Sequence, residues 1–389
     1  MKESLIINKF QKMYGKNVFI KLHEPNLSLK DFGEVKKSIK NNYVSTIGNV
    51  VKKFEKKLSS ITKSNYVVAT VSGSAALHTS VSALNIKKNE EILMPTLNYI
   101  ASANAALLCN AIPHFIDIEK NTLGVDPVKL EKYLKKNTII RNNTCYNKKT
   151  KRKIKAIIVL HTFGHPSKID LIKKISKKYH LYLIEDAAEA LGSKYKKKHL
   201  GTFGDIGILS FNGNKIITCG GGGAIITNNK LISKKVLHLI SNSKLNHKWK
   251  YDYDQLGFNY RMPGINAALG FSQLMRLKKF IKSKRKIYKK YDELFSSVKN
   301  VELFKEPKNS YSNYWLNTLL VGSKSIKQRD NLIKRLNQNG IAVRPVWTLL
   351  HKISYLKKYP KMNLKNAIKL EKQIINLPSS SQLLNRMYV

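Results

Sequence analysis

Seven short apolar runs, rich in β-branched residues, alternate with helical patterns between residues 66 and 227 of this chain. They lie at residues 66–71, 91–94, 112–116, 156–160, 181–185, 206–211 and 223–227. Most of them are continuously apolar and bounded by Gly, Pro or Asn, which is typical of strands buried on both faces of a sheet. Helices between such strands predict an α/β fold with a mostly parallel seven-stranded sheet. A short loop joins the last two runs, which leaves room for an antiparallel pair there.

The pattern changes on both sides of this strand-rich region. Residues 1 to about 60 have a polar, helical pattern, and the polar, basic segment 137–155 predicts a surface loop. Beyond residue 250 we expect a helix over 266–294, a strand at 314–321, a helix near 328–337 and a strand at 341–344. We therefore predict a large α/β domain at 1–250, which includes the helical N-terminal segment, and a smaller α+β domain at 251–389.

The composition is that of a soluble globular protein, with 42% hydrophobic residues among 389. No run approaches the roughly 20 apolar residues that a membrane helix needs, and the first residues lack a signal-peptide pattern. The three cysteines, Cys109, Cys145 and Cys219, are scattered and form no CxxC pair. We therefore expect a cytoplasmic enzyme with no metal centre and no membrane association.

The net charge of +47 is consistent with a nucleic-acid binder. However, the lysines are spread along the whole chain, and no helix-turn-helix, zinc-finger or RNP-like pattern accompanies them. The segment 273–281 shows apolar residues at helical spacing with lysines between them, as in an amphipathic helix with a solvated basic face. We therefore expect no nucleic-acid partner, and a surface that attracts polyanionic small molecules such as a nucleotide diphosphate.

Two predicted strands lead to residues that can carry chemistry. Asp186 closes the apolar run that begins at residue 181, and Lys215 follows the run that ends at residue 211. Because the carboxyl ends of parallel strands meet at one edge of a sheet, the two side chains are expected to lie close together. An α/β enzyme holds pyridoxal phosphate (PLP) with such a pair: the lysine forms a Schiff base and the aspartate faces the pyridine nitrogen. The pairing predicts amino-group transfer.

The segment 71–77, which joins the first strand to a helix, is suited to a phosphate. Gly73 lets the backbone approach closely, Ser74 adds a hydroxyl donor, and the N-terminus of the following helix favours a dianion. A Ser-Gly-Ser turn can equally be a simple helix cap. Its position at the same edge of the sheet as Asp186 and Lys215 favours the phosphate.

Each of these residues also has an ordinary structural interpretation. Asp186 could cap a helix that begins at Ala187, and Lys215 could be one more surface lysine. The buried strand before Lys215 and the glycine run at 220–223 after it favour a functional lysine. His161 and His165 could line the site or be structural. The chain has neither a GxGxxG fingerprint nor a Walker loop, which disfavours nicotinamide and ATP.

These residues resemble the DegT/DnrJ/EryC1/StrS sugar-nucleotide aminotransferases, which are PLP enzymes of fold type I. The matching segments, whose order and spacing agree over nearly the whole chain, are residues 72–77, 185–189, 210–215 and 257–262. Within the family, the chain is most similar to the branch that builds legionaminic acid and similar 4-amino-6-deoxy sugars. The segments that carry this similarity are residues 22–25, 161–166, 313–317, 344–347 and 376–380.

The resemblance implies a role for the residues around the cofactor ring. Lys215 would bind PLP covalently and move a proton during the reaction. Asp186 would pair with the pyridinium, and Glu189 would lie near the phenolic oxygen of the ring, where many relatives have His or Gln. Tyr99 would stack on the ring, where relatives often have Phe or Trp.

The resemblance also implies how the phosphate and the substrate are held. Gly73, Ser74 and Ser210 would bind the phosphate. Asn259 would reach the phosphate bound in the neighbouring subunit, so that a homodimer would share its active sites. The candidates for contacts with the sugar nucleotide or the donor carboxylate are Arg261, Arg344, Trp347 and His351. Core packing is an equally good interpretation of Trp347.

The implied activity is a ping-pong transamination. Glutamate would donate an amino group, which would pass to the 4-keto group of a nucleotide-linked 6-deoxyhexose in surface-glycan or nonulosonic acid biosynthesis. A UDP-linked 2-acetamido-2,6-dideoxyhexos-4-ulose or a GDP analogue is the expected substrate. One alternative is a related PLP-dependent sugar dehydratase, but such enzymes replace the lysine with histidine, and this chain has Lys215. A basic nucleic-acid-binding protein is the alternative from another class. The nucleotide, the C2 substituent and the configuration of the product amine remain open.

Overall fold

The computed structural model describes residues 3–46 and 48–387. Its α-helices are α1 Glu3–Tyr14, α2 Leu29–Lys40, α3 Val50–Thr62, α4 Gly73–Ala83, α5 Ala101–Leu108, α6 Pro127–Asn137, α7 Ile169–Lys178, α8 Lys230–Ile240, α9 Gly264–Met275, α10 Leu277–Phe295, α11 Ile326–Gln338 and α12 Lys365–Glu371. Its strands are β1 Tyr66–Thr70, β2 Glu91–Pro95, β3 Ile112–Ile116, β4 Thr138–Arg141, β5 Thr144–Asn147, β6 Lys153–Leu160, β7 Tyr182–Asp186, β8 Lys194–Tyr195, β9 Lys198–His199, β10 Ile206–Ser210, β11 Gly223–Thr227, β12 Val301–Leu303, β13 Ser310–Tyr311, β14 Asn317–Val321, β15 Arg344–Pro345 and β16 Ile374–Leu377.

The central sheet contains all seven predicted strands, in the order β1-β11-β10-β7-β6-β2-β3. The pairs from β10 to β3 are parallel, whereas β11 is antiparallel to both of its neighbours. Strands β1, β7 and β10 therefore run in one direction, and their carboxyl ends meet at one edge. The antiparallel pair expected between the last two predicted strands is confirmed as β10 and β11.

Both faces of the sheet are buried, as its continuous apolar runs indicate. In β6, Ala156 and Ile158 pack into the cluster under α4, α5 and α8. Their neighbours Ile157 and Val159 pack on the opposite face, against α6 and α7. Since successive side chains of a strand point to opposite faces, an all-apolar strand has to be covered on both sides.

The segment 137–155 is not the surface loop that its polarity predicts. Strands β4 and β5 form a hairpin, and β5 also pairs with the start of β6, which extends the sheet to nine strands in the described part of the chain. Asn142 and Asn143 have φ of 46° and 53°, the left-handed backbone of a tight two-residue hairpin turn. The sequence therefore contained an indication of this hairpin, namely the Asn-Asn pair between two short segments with β-branched residues.

The C-terminal part forms a second, antiparallel sheet in the order β12-β14-β16-β15, which agrees with the predicted α+β pattern. Helix α1 packs into the same apolar cluster as α10 and α11, through Phe10 and Tyr14 against Tyr291. The helix predicted over 266–294 is interrupted at Arg276, whose side chain turns to Asp31 at the start of α2. No helix in the described residues is long and apolar enough to cross a membrane.

Candidate active site

Asp186 is the last residue of β7 and is almost fully buried. Its Oδ2 accepts a hydrogen bond from Ser102 Oγ at 3.2 Å, and its Oδ1 accepts one from the backbone N–H of Ala188 at 3.2 Å. Burial raises the pKa of Asp186 above its ordinary value, and the charge of Lys215 only partly opposes this. A buried carboxylate in this position is suited to a cationic ring nitrogen, which would stabilise its charge.

Lys215 lies beyond the end of β10, and the structure brings it to the same edge of the sheet as Asp186. Its Nζ is 3.6 Å from Oε1 of Glu189 and 3.9 Å from the ring centroid of Trp315, and its side chain is 13% exposed. Trp315 is held in turn by a hydrogen bond from its Nε1 to the carbonyl oxygen of Asn214 at 2.7 Å. The amine is therefore fixed between a carboxylate and the face of an indole ring.

Glu189 lies three residues after Asp186 in the chain and is also buried. Burial raises the pKa of Glu189 to about 7, while the charge of Lys215 and a hydrogen bond from the backbone N–H of Phe163 oppose the shift. That hydrogen bond to Oε2 is 2.8 Å long. An acid with a pKa near neutrality beside an amine can accept or donate a proton at physiological pH.

The segment predicted to bind phosphate lies at the N-terminus of α4. Ser72 caps the helix by accepting a hydrogen bond from the backbone N–H of Ala75, so the capping interpretation is confirmed. A Cβ atom added to Gly73 would lie 2.9 Å from Cβ of Ser210 at the end of β10. Ser74 is exposed in the first turn of the helix. Gly73 therefore lies in close contact with Ser210, at the N-terminus of α4 where backbone N–H groups begin the helix.

Three aromatic side chains meet at Trp347. Tyr99 is 53% exposed, and its ring lies edge-on to Trp347 with 6.2 Å between centroids. Trp347 also contacts Phe163, at 5.4 Å, so it packs against the core and borders the site at once. Nδ1 of His351 lies 2.7 Å from Oγ1 of Thr96. Burial lowers the pKa of His351.

Three of the predicted residues lie at the surface. Arg344 donates hydrogen bonds to Oδ1 of Asn337 and to the carbonyl oxygen of Val343, at the end of α11. Arg261 is exposed, and its Nη2 is 3.5 Å from the carbonyl oxygen of Thr46. Asn259 is exposed next to a backbone bridge with Ser241. Within residues 3–46 and 48–387, none of these side chains forms a hydrogen bond or ion pair with Lys215, Asp186 or Glu189.

The two histidines after β6 are both buried. His161 is fully buried, with its Nε2 2.9 Å from Oε2 of Glu185 on the neighbouring strand. His165 is buried between the rings of Phe304 and Tyr314, at 4.9 and 5.1 Å. Burial lowers the pKa of His165 to about 3, so this ring is neutral.

Sequence reasoning missed two further residues of the site. Trp315 is placed against the amine of Lys215, and Ser102 is bonded to the carboxylate of Asp186. Trp315 lies a hundred residues away from Lys215 in the chain, and Ser102 belongs to an Ala-rich helix with no distinctive pattern. Only the fold brings them together with the lysine and the aspartate.

The donor set fits PLP rather than a metal. No group of three or more His, Cys, Asp or Glu residues within the described ranges could hold a metal ion. The lysine amine, the buried carboxylate of Asp186 and the close approach of Gly73 to Ser210 at a helix N-terminus suit the aldehyde, the ring nitrogen and the phosphate of this cofactor.

Residues 26–387 match the model of the DegT/DnrJ/EryC1/StrS aminotransferase family. The chain belongs to this family. It is 35% identical over 372 residues to GDP-perosamine synthase from Escherichia coli O157:H7, covering 95% of this chain and 96% of that protein. It is also 32% identical over 361 residues to the UDP-4-amino-4,6-dideoxy-N-acetyl-beta-L-altrosamine transaminase of Campylobacter jejuni strain 81-176, covering 92% of each.

Solved structures agree with this DegT/DnrJ/EryC1/StrS assignment at the level of the fold. Helicobacter pylori PseC, an aminotransferase involved in the biosynthesis of pseudoaminic acid, superposes with a TM-score of 0.84 at 24% identity. The match covers 94% of this chain and 95% of that one. The predicted fold type I is confirmed, and the protein is a PLP-dependent sugar-nucleotide aminotransferase.

Proposed function

We propose that the protein transfers an amino group from glutamate to the 4-keto carbon of a nucleotide-linked 6-deoxyhexose. A UDP-linked 2-acetamido sugar or a GDP analogue is the proposed substrate, in a route to a surface glycan or a nonulosonic acid such as legionaminic acid. The names of the two relatives support this proposal, because perosamine and the altrosamine derivative are both amino sugars carried on a nucleotide. The proposal rests on the position of the Lys215 amine, which lies 3.6 Å from Glu189 at the edge of the sheet where Asp186 also lies.

In this proposal, Lys215 and Asp186 are the catalytic residues. PLP, when bound, would supply an electron-withdrawing ring that makes a proton on the amino-bearing carbon easier to remove. Lys215 is the attachment residue and the group that removes and returns this proton. Asp186 keeps the ring nitrogen protonated, and Glu189 bonds to the phenolic oxygen. The ring of Trp315 holds the amine of Lys215 in place beside Glu189.

The remaining cofactor contacts are proposed from position and chemistry. Gly73, Ser74 and Ser210 hold the phosphate at the N-terminus of α4, where backbone N–H groups favour a dianion. Tyr99, half exposed at the opening of the site, stacks on the ring. The proposed contacts with the sugar nucleotide or the donor carboxylate are those of Arg261, Arg344, Trp347 and His351.

We further propose a homodimer in which Asn259 completes the phosphate site of the partner. Large apolar side chains are exposed in the chain segment that precedes Asn259: Trp249 is 73% exposed and Leu256 is 83% exposed. Such side chains favour burial against another subunit. A shared site would also explain why the exposed Asn259 and Arg261 have no contact with the Lys215 cluster of their own chain.

The experiment is to incubate the PLP-loaded protein with UDP- and GDP-linked 4-keto-6-deoxy sugars and glutamate, and to identify the product by NMR. We expect a 4-amino sugar nucleotide, with 2-oxoglutarate formed in equal amount. The Lys215→Ala variant is the control and should form neither. A 3-deoxy-4-keto product that carries no amine, formed with release of ammonia, would show a dehydratase instead, and the absence of turnover with every 4-keto sugar would overturn the proposal.

A further inference from the structure

A broad groove lies on a face of the molecule that does not include Lys215. It has a volume of about 1820 Å³ and lies between α3, α10 and the hairpin of β8 and β9. Of the 21 described residues that line it, ten are Lys or Arg and none is acidic. We call it the basic groove. Lys57 on α3 and Lys194 on β8 stand on two of its sides.

The third side is a stripe of lysines along α10. Lys278, Lys282, Lys286 and Lys289 follow the helical repeat and are all exposed. Like charges four residues apart on a helix repel one another and destabilise it. In the described part of the chain, none of these four lysines forms an ion pair, whereas Arg285 of the same helix binds Glu306. An anionic partner would remove this repulsion.

The concentration of charge is not a simple result of the basic composition. A groove of about 470 Å³ beside Pro166 is lined by 11 described residues, of which two are lysines and one is Asp170. Another, of about 450 Å³ beside Tyr14, is lined by seven described residues with Arg386 as their one cation. Cations therefore make up about half of the basic groove but a small part of both other grooves.

The floor of the basic groove is apolar. Leu274, Leu277 and Ile281 form its base, and Met275 projects into it with 61% of its surface exposed. Met is well suited to adaptable contacts with apolar side chains of a partner. The groove therefore offers an apolar strip between rows of lysines.

We propose that the basic groove binds an acidic, amphipathic protein segment, with apolar side chains on the floor and carboxylates on the lysines. A second copy of this chain is disfavoured at this groove, because ten cationic lining residues require an acidic partner surface and the chain has 24 Asp and Glu against 71 Lys and Arg. Single-stranded nucleic acid stacks its bases on aromatic rings, and Tyr311 is the one Phe, Trp or Tyr among the described lining residues. A lipid bilayer is flat on this scale and does not enter a concave groove.

The test uses the PLP-loaded full-length protein and a labelled helical peptide of Glu and Leu with leucines on one face. We expect the peptide to bind, and binding to weaken as salt is added. The variant Lys278→Glu/Lys282→Glu/Lys286→Glu should weaken binding by at least about tenfold. The matched control, Lys324→Glu/Lys327→Glu/Lys334→Glu, reverses three exposed lysines of another face and should bind as the wild type does. Transamination activity should be unchanged in both.

Three comparison ligands decide between the possible occupants. A polyglutamate peptide of equal charge should bind at least about tenfold more weakly, because it cannot use the apolar floor. An oligothymidine or a phosphatidylglycerol vesicle that binds more tightly than the Glu/Leu peptide, with loss in the α10 variant, would overturn the proposal. Absence of peptide binding at low salt, or equal loss in both triple variants, would also overturn it.

Discussion

Nζ of Lys215 lies 3.6 Å from Oε1 of Glu189, and burial raises the pKa of this carboxyl to about 7. An acid and an amine that meet in a buried pocket share their protons, so the protonation of one affects the charge of the other. The pair is therefore sensitive to pH near neutrality, where an exposed glutamate would not respond.

The pH dependence of stability should report this shift. A carboxyl whose pKa is higher in the folded state than its ordinary 4.5 loses stability as pH rises from 4.5 to about 7. Replacing Glu189 with Gln removes that loss, so the variant should gain up to about 3 kcal/mol relative to wild type over this interval. Urea unfolding of the PLP-free proteins measures the difference. A difference that stays constant with pH would contradict the raised pKa.

A side chain at position 73, where α4 lies against β10, should weaken PLP binding. In Gly73→Ala the new Cβ would lie 2.9 Å from Cβ of Ser210, so one of the two segments must move. We expect the dissociation constant of PLP to rise at least about tenfold, since phosphate contacts depend on close backbone approach. Gly213→Ala is the matched control because its Cβ would meet no atom within 4 Å. Equal affinities for PLP would refute the assigned phosphate site.

Lys215→Ala should abolish the covalent attachment of PLP. Wild-type protein reduced with borohydride should carry the cofactor on the peptide that contains Lys215, and the variant should carry none. Because the lysine also moves the proton, turnover should fall by about 10²–10⁴-fold or more. Lys234→Ala removes an exposed lysine of α8 and should behave as wild type. Mass mapping that finds the cofactor on another lysine would exclude the assignment.

Mixing two inactive variants tests the shared site. Lys215→Ala disables the chain that carries the lysine, and Asn259→Asp should repel the phosphate of the neighbouring subunit. If sites are shared, a mixed dimer has one site with both defects and one intact site. Co-refolding equal amounts should then restore roughly a quarter of wild-type activity. A site formed within one chain predicts no recovery.

Glu91 should protect the protein against acid. It is buried and accepts hydrogen bonds from His114, Thr150 and Asn147. Burial opposes its charge, but the contacts with His114 and the other donors outweigh burial and hold the pKa of Glu91 below its ordinary value. A carboxyl with a lowered pKa contributes stability above 4.5, and that stability disappears as pH falls through the folded value.

Glu91→Gln should therefore lower the free energy of unfolding at neutral pH by about 1–3 kcal/mol. The difference in the free energy of unfolding between Glu91→Gln and wild type should become smaller as the pH falls through the acid range. Glu131→Gln, which breaks an exposed pair with Lys178, should change stability by at most about 1 kcal/mol at any pH. Parallel unfolding curves for wild type and Glu91→Gln across the acid range would contradict the role of this network.

The seven strands of the sheet could be predicted because most of them are continuously apolar and bounded by Gly, Pro or Asn. Asp186 and Lys215 could be paired because parallel strands bring their carboxyl ends together. The hairpin of β4 and β5 was missed because hydrophobicity does not follow burial there: Ile139 and Ile140 are exposed, whereas Asn147 is buried. Polarity alone does not distinguish an edge hairpin from a loop.

Contacts between distant segments could not be predicted from local patterns. Trp315 meets Lys215 only because the C-terminal part packs over the edge of the central sheet. The interruption at Arg276 depends on Asp31, which lies far away in the chain and whose carboxylate also accepts hydrogen bonds from Ser272 and Gln273. Periodicity gives the face that a helix buries, but it gives neither the partner nor the position of a break.

The hydroxyl groups of Tyr14 and Tyr291 lie 2.5 Å apart, although 277 positions separate them in the chain. During synthesis on the ribosome, α1 emerges early and has no apolar partner until α10 and α11 have been made. The nascent chain must therefore keep Ile6, Phe10 and Tyr14 from non-native contacts while the central sheet forms. Completion of the C-terminal part is then also the step that anchors the opening helix.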